Sequence, residues 1–209
     1  VRIDRAGVPF ILAAALPAAL AWGLGAVDAA LILLAFPLSI ALFFRDPDRV
    51  APLEGDAVLA PADGRVMFAG PAKPEEAPPG AWRQVTIFLS PLDVHINRTP
   101  VSGTVTRVDF VPGTFFAAYR PEARGNEHSE IWLEHEGEIV VARQVVGVMA
   151  RRVVCRLKAG DRVAAGARLG LMKFGSRMDV FVPMSASLAT SAGQTVRGGE
   201  TVIARLAAR

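Results

Sequence analysis

Across residues 8–44 the sequence runs 37 positions with only two polar side chains, Asp28 and Ser39. A stretch of about 18 apolar residues already marks a membrane-spanning candidate, so this one constrains the N-terminal part of the fold more than any other feature. Asp28, following Gly23 and Gly25, divides it into 8–27 and 29–44. The first piece is long enough to cross a bilayer. The second has 16 residues and at ~1.5 Å per residue reaches about 24 Å, short of a ~30 Å hydrocarbon core. An aspartate at mid-bilayer costs ~2.5 to 3.5 kcal/mol, which places Asp28 at a turn near an interface. Arg2 and Arg5 precede the run, and Arg45 and Arg49 follow it. By the positive-inside rule both flanks are cytoplasmic. The expectation is a membrane-anchoring helical hairpin over 1–45, holding the remainder, 46–209, at the cytoplasmic side of a cell membrane. A secretory signal peptide fits less well, because the hydrophobicity continues far past any cleavage point. A buried helix pair is the other reading, and Pro9, Pro17 and Pro37 do not separate it from a membrane hairpin.

The remainder is sized for one domain. The chain is 52% hydrophobic, and that excess is concentrated in the apolar run. A net charge of +3, carried mostly by arginine, favours anionic lipid headgroups. Nucleic acid is not an expected partner, because no basic run with interleaved aromatics occurs. A single cysteine, Cys155, rules out an intrachain disulfide, and no Cys/His spacing suggests a metal site.

After Arg45-Asp46-Pro47-Asp48-Arg49 the pattern is β. Segments 57–60 and 65–69 read as strands around a Pro61-Ala62-Asp63-Gly64 turn, and 82–89, 101–111, 130–133 and 139–146 read as further strands. No helix longer than a turn or two is expected after Phe44. A twelve-residue repeat aligns 159–170 with 192–203, each reading Ala-Gly, polar, x, Val, x, x, Gly and then an apolar strand. Such half-motifs suit a flattened barrel or sandwich of the biotinyl/lipoyl type, so the expected fold is mainly β, preceded by the hydrophobic hairpin.

Between the repeats lies Met172-Lys173-Phe174-Gly175-Ser176-Arg177-Met178. A Gly-Ser pair is an ordinary turn, and it is also a bond able to cut itself. A deprotonated Ser176 Oγ aimed at the Gly175 carbonyl shifts the acyl group from nitrogen to oxygen. β-Elimination of that ester leaves a dehydroalanine, and loss of ammonia leaves a pyruvoyl group, an electron sink for an amine substrate. Glycine suits the leaving side because it lacks a Cβ and tolerates a strained backbone.

The segment from Leu171 to Pro183 resembles the processing site of the short, membrane-linked phosphatidylserine decarboxylases. Ala60-Pro61-Ala62-Asp63-Gly64-Arg65-Val66, Phe88-Leu89-Ser90-Pro91-Leu92-Asp93-Val94-His95-Ile96-Asn97-Arg98-Thr99-Pro100 and Gly125-Asn126-Glu127 match the same family in the same order. The resemblance implies a proenzyme cut between Gly175 and Ser176 into a large chain, 1–175, and a small chain, 176–209, that stay together as a heterodimer. It implies a covalent pyruvoyl cofactor derived from Ser176, phosphatidylserine as substrate and the lipid bilayer as partner, with phosphatidylethanolamine and carbon dioxide as products. It makes His95 the proton-transfer group and Asp63 the orienting carboxylate of a Ser-His-Asp relay. Longer relatives carry a second histidine three residues after the first, where this chain has Arg98. Read from the residues alone, Asp63 is a turn residue, His95 is a hydrogen-bonded strand-end histidine, and Lys173 is equally a solvated lysine or a contact for the substrate's phosphate or carboxylate. His128 and His135 read as surface residues, and Cys155 as a small core residue.

Two other functional classes stay open at this level. One is a membrane-tethered carrier or adaptor without decarboxylase activity, presenting a modified Lys173 at a hairpin tip. The other is a serine hydrolase, although the nucleophile-elbow glycines are replaced by Phe174 and Met178. A third possibility keeps the chemistry and changes the substrate to another aminoacyl-type phospholipid.

Overall fold

A computed structural model describes residues 2–52, 54–148, 153–173 and 175–207. Phe174 of the processing motif lies outside the described residues. The chain forms two compact units, Val1–Asp48 and Arg49–Arg209.

In the first unit, β1 (Arg2–Ile3) pairs antiparallel with β2 (Arg45–Asp46), closing the ends of a helical hairpin. Between them run α1 (Val8–Gly23), α2 (Val27–Leu33) and α3 (Ala35–Phe43). Pro9 sits in the first turn of α1, where its missing N–H breaks no helical bond. Helix α1 packs against both α2 and α3, with Ala18 and Ala30 buried. The turn falls earlier than Asp28, because Gly25 takes a left-handed conformation (φ 77°) after the end of α1. Asp28 instead sits in the first turn of α2, where its charge complements the helix dipole. Leu12, Leu16 and Leu20, spaced to lie on one face, are 64, 68 and 65% exposed. The helical segment Arg5–Gly23 is long and apolar enough to cross a membrane, and Val27–Phe43 is shorter.

The second unit begins with β3 (Ala57–Leu59), β4 (Gly64–Pro71) and β5 (Trp82–Leu89). There follow β6 (Ile96–Arg98), β7 (Gly103–Val111), β8 (His128–His135) and β9 (Glu138–Val145). Next come β10 (Val153–Cys155), β11 (Arg162–Val163), β12 (Arg168–Met172) and β13 (Ser176–Pro183). The last are β14 (Ser187–Leu188), β15 (Thr195–Val196) and β16 (Val202–Arg205). Eight of these form one antiparallel sheet in the order β11-β7-β8-β9-β13-β5-β4-β15, and two three-stranded sheets, β10-β12-β6 and β14-β16-β3, complete the unit. After Phe43 the only helix among the described residues is a single 3-10 stretch, Pro121–Gly125. The mainly β expectation and the apolar helical N-terminus are both met.

Period-two alternation sets the layers. Val85, Ile87 and Leu89 of β5, Met178, Val180 and Val182 of β13, and Val140 and Ala142 of β9 are buried in one core cluster with Leu169, Met172 and Ile203. The repeat seen in the sequence recurs in the backbone. Gly160 and Gly193 have φ of 92° and 93°, and Gly166 and Gly199 have 74° and 77°. Gly160 N–H donates to Val105 and Gly193 N–H to Val66, while Gly166 N–H donates to Thr99 and Gly199 N–H to Ala60. The equivalence therefore extends to Ala60-Pro61-Ala62-Asp63-Gly64 and Thr99-Pro100-Val101-Ser102-Gly103. These two segments cross-link: Arg98 N–H donates to Pro61 O and Leu59 N–H to Pro100 O, each at 2.8 Å.

Candidate active site

Ser176 opens β13, the central strand held between β5 and β9. Its side chain shares the core-facing side with Met178 and is fully buried. Its Oγ has no hydrogen-bond partner among the described residues. A buried hydroxyl normally finds one, and leaving it without costs about 1 to 3 kcal/mol, which points to a group kept for chemistry. The preceding Gly175 has φ of 68°, the left-handed region that a residue with a Cβ enters only under strain.

Opposite Ser176 in the sheet is Leu89, and the chain that leaves Leu89 leads directly to His95. The intervening turn is closed by Asp93, whose N–H donates to Ser90 O at 2.9 Å and whose carboxylate accepts from Ser90 N–H at 2.7 Å. His95 is fully buried, and its Nδ1 lies 2.9 Å from Asp93 O. A carbonyl only accepts, so the neutral imidazole carries its proton on Nδ1 and keeps its lone pair on Nε2.

Strand pairing relates the two groups. Gln144 pairs with Met178 across β9 and β13, and its Nε2 donates to Asn97 Oδ1 of β6 at 2.8 Å, spanning the inter-sheet space. From Asn97, two residues back is His95, whose carbonyl accepts from Met172 N–H at 3.3 Å. From Met178, two residues back is Ser176. Both steps lead to the 173–175 connection between β12 and β13. His95 and Ser176 therefore occupy the same end of the inter-sheet space, on either side of that connection.

Asp63 engages a different set of groups. Its Oδ1 accepts from Gly198 N–H at 2.7 Å, and its Oδ2 accepts from Arg49 Nη2 at 2.8 Å; Arg49 also reaches Glu200 at 2.9 Å. The group on His95 Nδ1 is the Asp93 carbonyl. Arg98, at the position of the second histidine in longer relatives, is buried and donates from Nη1 to Gly166 O at 3.0 Å. A guanidinium stays protonated, so Arg98 is a structural clasp on the repeat and not a base.

The carbonyl of Gly175 is pressed against Gly147, where an added Cβ would lie 1.8 Å from Gly175 O. Gly147 follows β9, and Asn126 fixes that end. Its Nδ2 donates to Val146 O at 2.8 Å and to Phe116 O at 2.7 Å, and its Oδ1 accepts from Phe116 N–H at 2.8 Å. The same bonds pin the 112–120 loop beside Gly175. There Phe88, Pro91, Ala117, Ala118, Tyr119, Val148 and Gly175 line an apolar cavity of ≈ 320 Å³.

Comparison with known proteins identifies the family. The phosphatidylserine decarboxylase family model matches residues 36–204. The chain belongs to the phosphatidylserine decarboxylase family. Among its relatives, the phosphatidylserine decarboxylase proenzyme of Symbiobacterium thermophilum is 42% identical over 98% of this chain and 95% of its own length. That of Granulibacter bethesdensis is 42% identical over 95% and 88%, and that of Salinibacter ruber is 44% identical over 80% and 75%. The protein is a decarboxylase.

In this decarboxylase the sheet face away from the core carries a second polar network. Arg143 donates to Glu130 from Nε at 2.9 Å and Nη2 at 2.6 Å, and its guanidinium stacks over Phe181. Asp179 accepts from Thr86 at 2.8 Å and from Arg177 at 3.0 Å. His128, expected on the surface, is half-buried beside this network, with Nδ1 2.8 Å from Asn126 O. Burial, reinforced by Arg143, holds its pKa below the usual histidine value. His135, also expected on the surface, is 8% exposed. Its two ring nitrogens each lie 2.8 Å from a carbonyl, Ser102 O and Gly55 O, because the end of β8 is covered by the residues before β3. Cys155 is half-buried against the core, and burial raises its pKa. Lys173 is half-buried, two residues before Gly175 in sequence. Among the described residues no cluster of His, Cys, Asp and Glu suits a metal. Sequence reasoning did not assign roles to Asp93, Asn97, Asn126, Gln144 or Gly147; three of these lie inside the quoted motifs, and Gln144 and Gly147 carry no local signal.

Proposed function

We propose that the chain is a self-processing, pyruvoyl-dependent phosphatidylserine decarboxylase, cut between Gly175 and Ser176 into chains 1–175 and 176–209 that remain one heterodimer. The observation that carries this reading is the buried, unpartnered Ser176 hydroxyl directly after a left-handed glycine, in the space it shares with His95. His95, with its proton on Nδ1, takes the Ser176 proton at Nε2, and Oγ attacks the Gly175 carbonyl. Contact with Gly147 holds that carbonyl in place. Asp63 ties the Pro61–Gly64 turn to Arg49 and Gly198, and Pro61 O of that turn accepts from Arg98 N–H of β6; a relay contact with the imidazole would require the carboxylate to turn from Arg49. The residues present suit the product: position 176 is buried, with Leu89 opposite it in the sheet and Met178 on the same face of its own strand, in the end of the core that a proton-transfer group shares. Once formed, the pyruvoyl group supplies an electron sink for loss of carbon dioxide from a bound amine. His95 then returns a proton to the substrate carbon, and the apolar cavity beside Gly175 holds the lipid portion and excludes water.

The apolar Arg5–Gly23 segment supports membrane association in this reading, and the arginines flanking 8–44 favour the second unit on the cytoplasmic side. Phosphatidylethanolamine is the expected product. Ser176→Ala removes the attacking oxygen and is expected to give one full-length chain that releases no carbon dioxide from phosphatidylserine. A chain still cut at 175/176 in that variant would overturn the mechanism.

A further inference from the structure

Asn97 and Gln144 are both fully buried, and their mutual bond leaves Asn97 Nδ2 and Gln144 Oε1 without partners among the described residues. The result does not depend on how the amides are oriented. If both are flipped, the bond runs from Asn97 to Gln144 and still leaves one N–H donor and one carbonyl acceptor open. Two open amide groups beside Met172, Met178 and Leu169 form a built polar site, because a buried amide group left without a partner is costly to the fold. Gly170 lies against it: a Cβ there would press first on Val154 O of the paired strand and would also stand 3.1 Å from Gln144 Nε2.

The site faces Ser176. Gln144 pairs directly with Met178, so Ser176 is its diagonal neighbour on the same face, at the ~7 to 8 Å typical of such positions. One side-chain amide and one water span that gap.

We propose that the Asn97–Gln144 pair binds and orients the water consumed in the last step of maturation. The proposal rests on the self-processing reading above. Elimination removes the Cα proton of residue 176 and expels the Gly175 carboxylate, giving a dehydroalanine that tautomerises to an imine. Water adds across the carbon–nitrogen double bond, with hydroxyl going to carbon and a proton to nitrogen. The carbon–nitrogen bond then breaks, ammonia leaves with the hydroxyl proton, and a ketone remains. One water is consumed and one ammonia released, with no net electron transfer. Since residue 176 is buried, the water needs polar partners to reside there; buried waters make about three hydrogen bonds. The amide pair supplies one donor and one acceptor, and the imine nitrogen supplies the third partner.

The test uses full-length precursor made by cell-free synthesis and quenched at intervals with borohydride before denaturation. Borohydride turns a pyruvoyl terminus into lactoyl, which has no amine, and an imine terminus into alanyl, which can be sequenced. Wild type is expected to give two chains with a lactoyl small chain. Asn97→Leu/Gln144→Met replaces both partners by apolar groups of similar size, so the core stays filled. It is expected to be cut at the wild-type rate, with the alanyl-to-lactoyl ratio at early times raised at least tenfold. If the double variant does not fold, Gln144→Met alone gives the same reading. A folded variant with the wild-type ratio overturns the proposal, and so does a folded variant that is not cut, since the pair would then act before the ester forms. An uncut wild type would instead sink the self-processing reading.

Discussion

Replacing Gly147 by alanine should stall maturation at its first step. Gly147 is not among the positive-φ residues, so alanine meets no backbone strain and the effect isolates one contact. The added Cβ would lie 1.8 Å from Gly175 O, where ordinary contact begins near 3.4 Å. The scissile carbonyl or the end of β9 must therefore yield by about 1.6 Å, the difference of those two distances. A misplacement of ~1 Å at a reacting centre costs on the order of 100-fold in rate. The same overpacking destabilises the fold by about 1 to 3 kcal/mol, which a domain of this size tolerates. Cleavage of cell-free precursor, followed on denaturing gels, should slow at least 100-fold in Gly147→Ala, while urea unfolding shows a folded protein. Cleavage at the wild-type rate in a stable Gly147→Ala protein would refute the idea that this contact aims the carbonyl.

His95→Ala should leave the chain uncut or catalytically dead; full processing with normal turnover would remove His95 from the mechanism. Asn126→Leu deletes the side-chain bonds to Phe116 and Val146 and should lower stability in urea by about 3 kcal/mol, with slower cleavage; an unchanged unfolding midpoint would contradict its role as the tie between loop and strand. His128 is harder to protonate in the folded state, chiefly through burial, so the unfolded chain binds more protons as pH falls through ~6.5. Stability should accordingly fall from pH 7.5 towards pH 5, and His128→Gln should flatten the part of that slope owed to this residue. An identical slope in the variant would show that His128 contributes nothing to it.

Local chemistry was the part of this protein most legible in the sequence. The Ala-Gly repeat was visible as two half-motifs, and Gly160 with Gly193 and Gly166 with Gly199 take nearly equal dihedrals in its two copies. The repeat's other half escaped notice, because Ala60-Pro61-Ala62-Asp63-Gly64 and Thr99-Pro100-Val101-Ser102-Gly103 share only proline and glycine. His95 was readable as a candidate, and the carbonyl two residues before it fixes its tautomer. Partners brought together by sheet topology were not readable: Arg49 reaches Glu200 across 151 positions, and Gln144 reaches Asn97 across 47. Asp28 was misplaced by a few residues, because the glycine that ends α1 precedes it and moves the turn forward. His135 was misjudged because strand alternation alone does not reveal that Gly55 covers the end of its strand.

The central claim is that Ser176 becomes a carbonyl group at a new N-terminus. Intact-mass measurement of the purified full-length product under denaturing conditions, with and without a carbonyl-reactive hydrazide, tests it directly. The account predicts two chains that meet between Gly175 and Ser176, the smaller one resistant to N-terminal sequencing and increased in mass by one hydrazide less one water. A small chain beginning with an intact, sequenceable serine would contradict it.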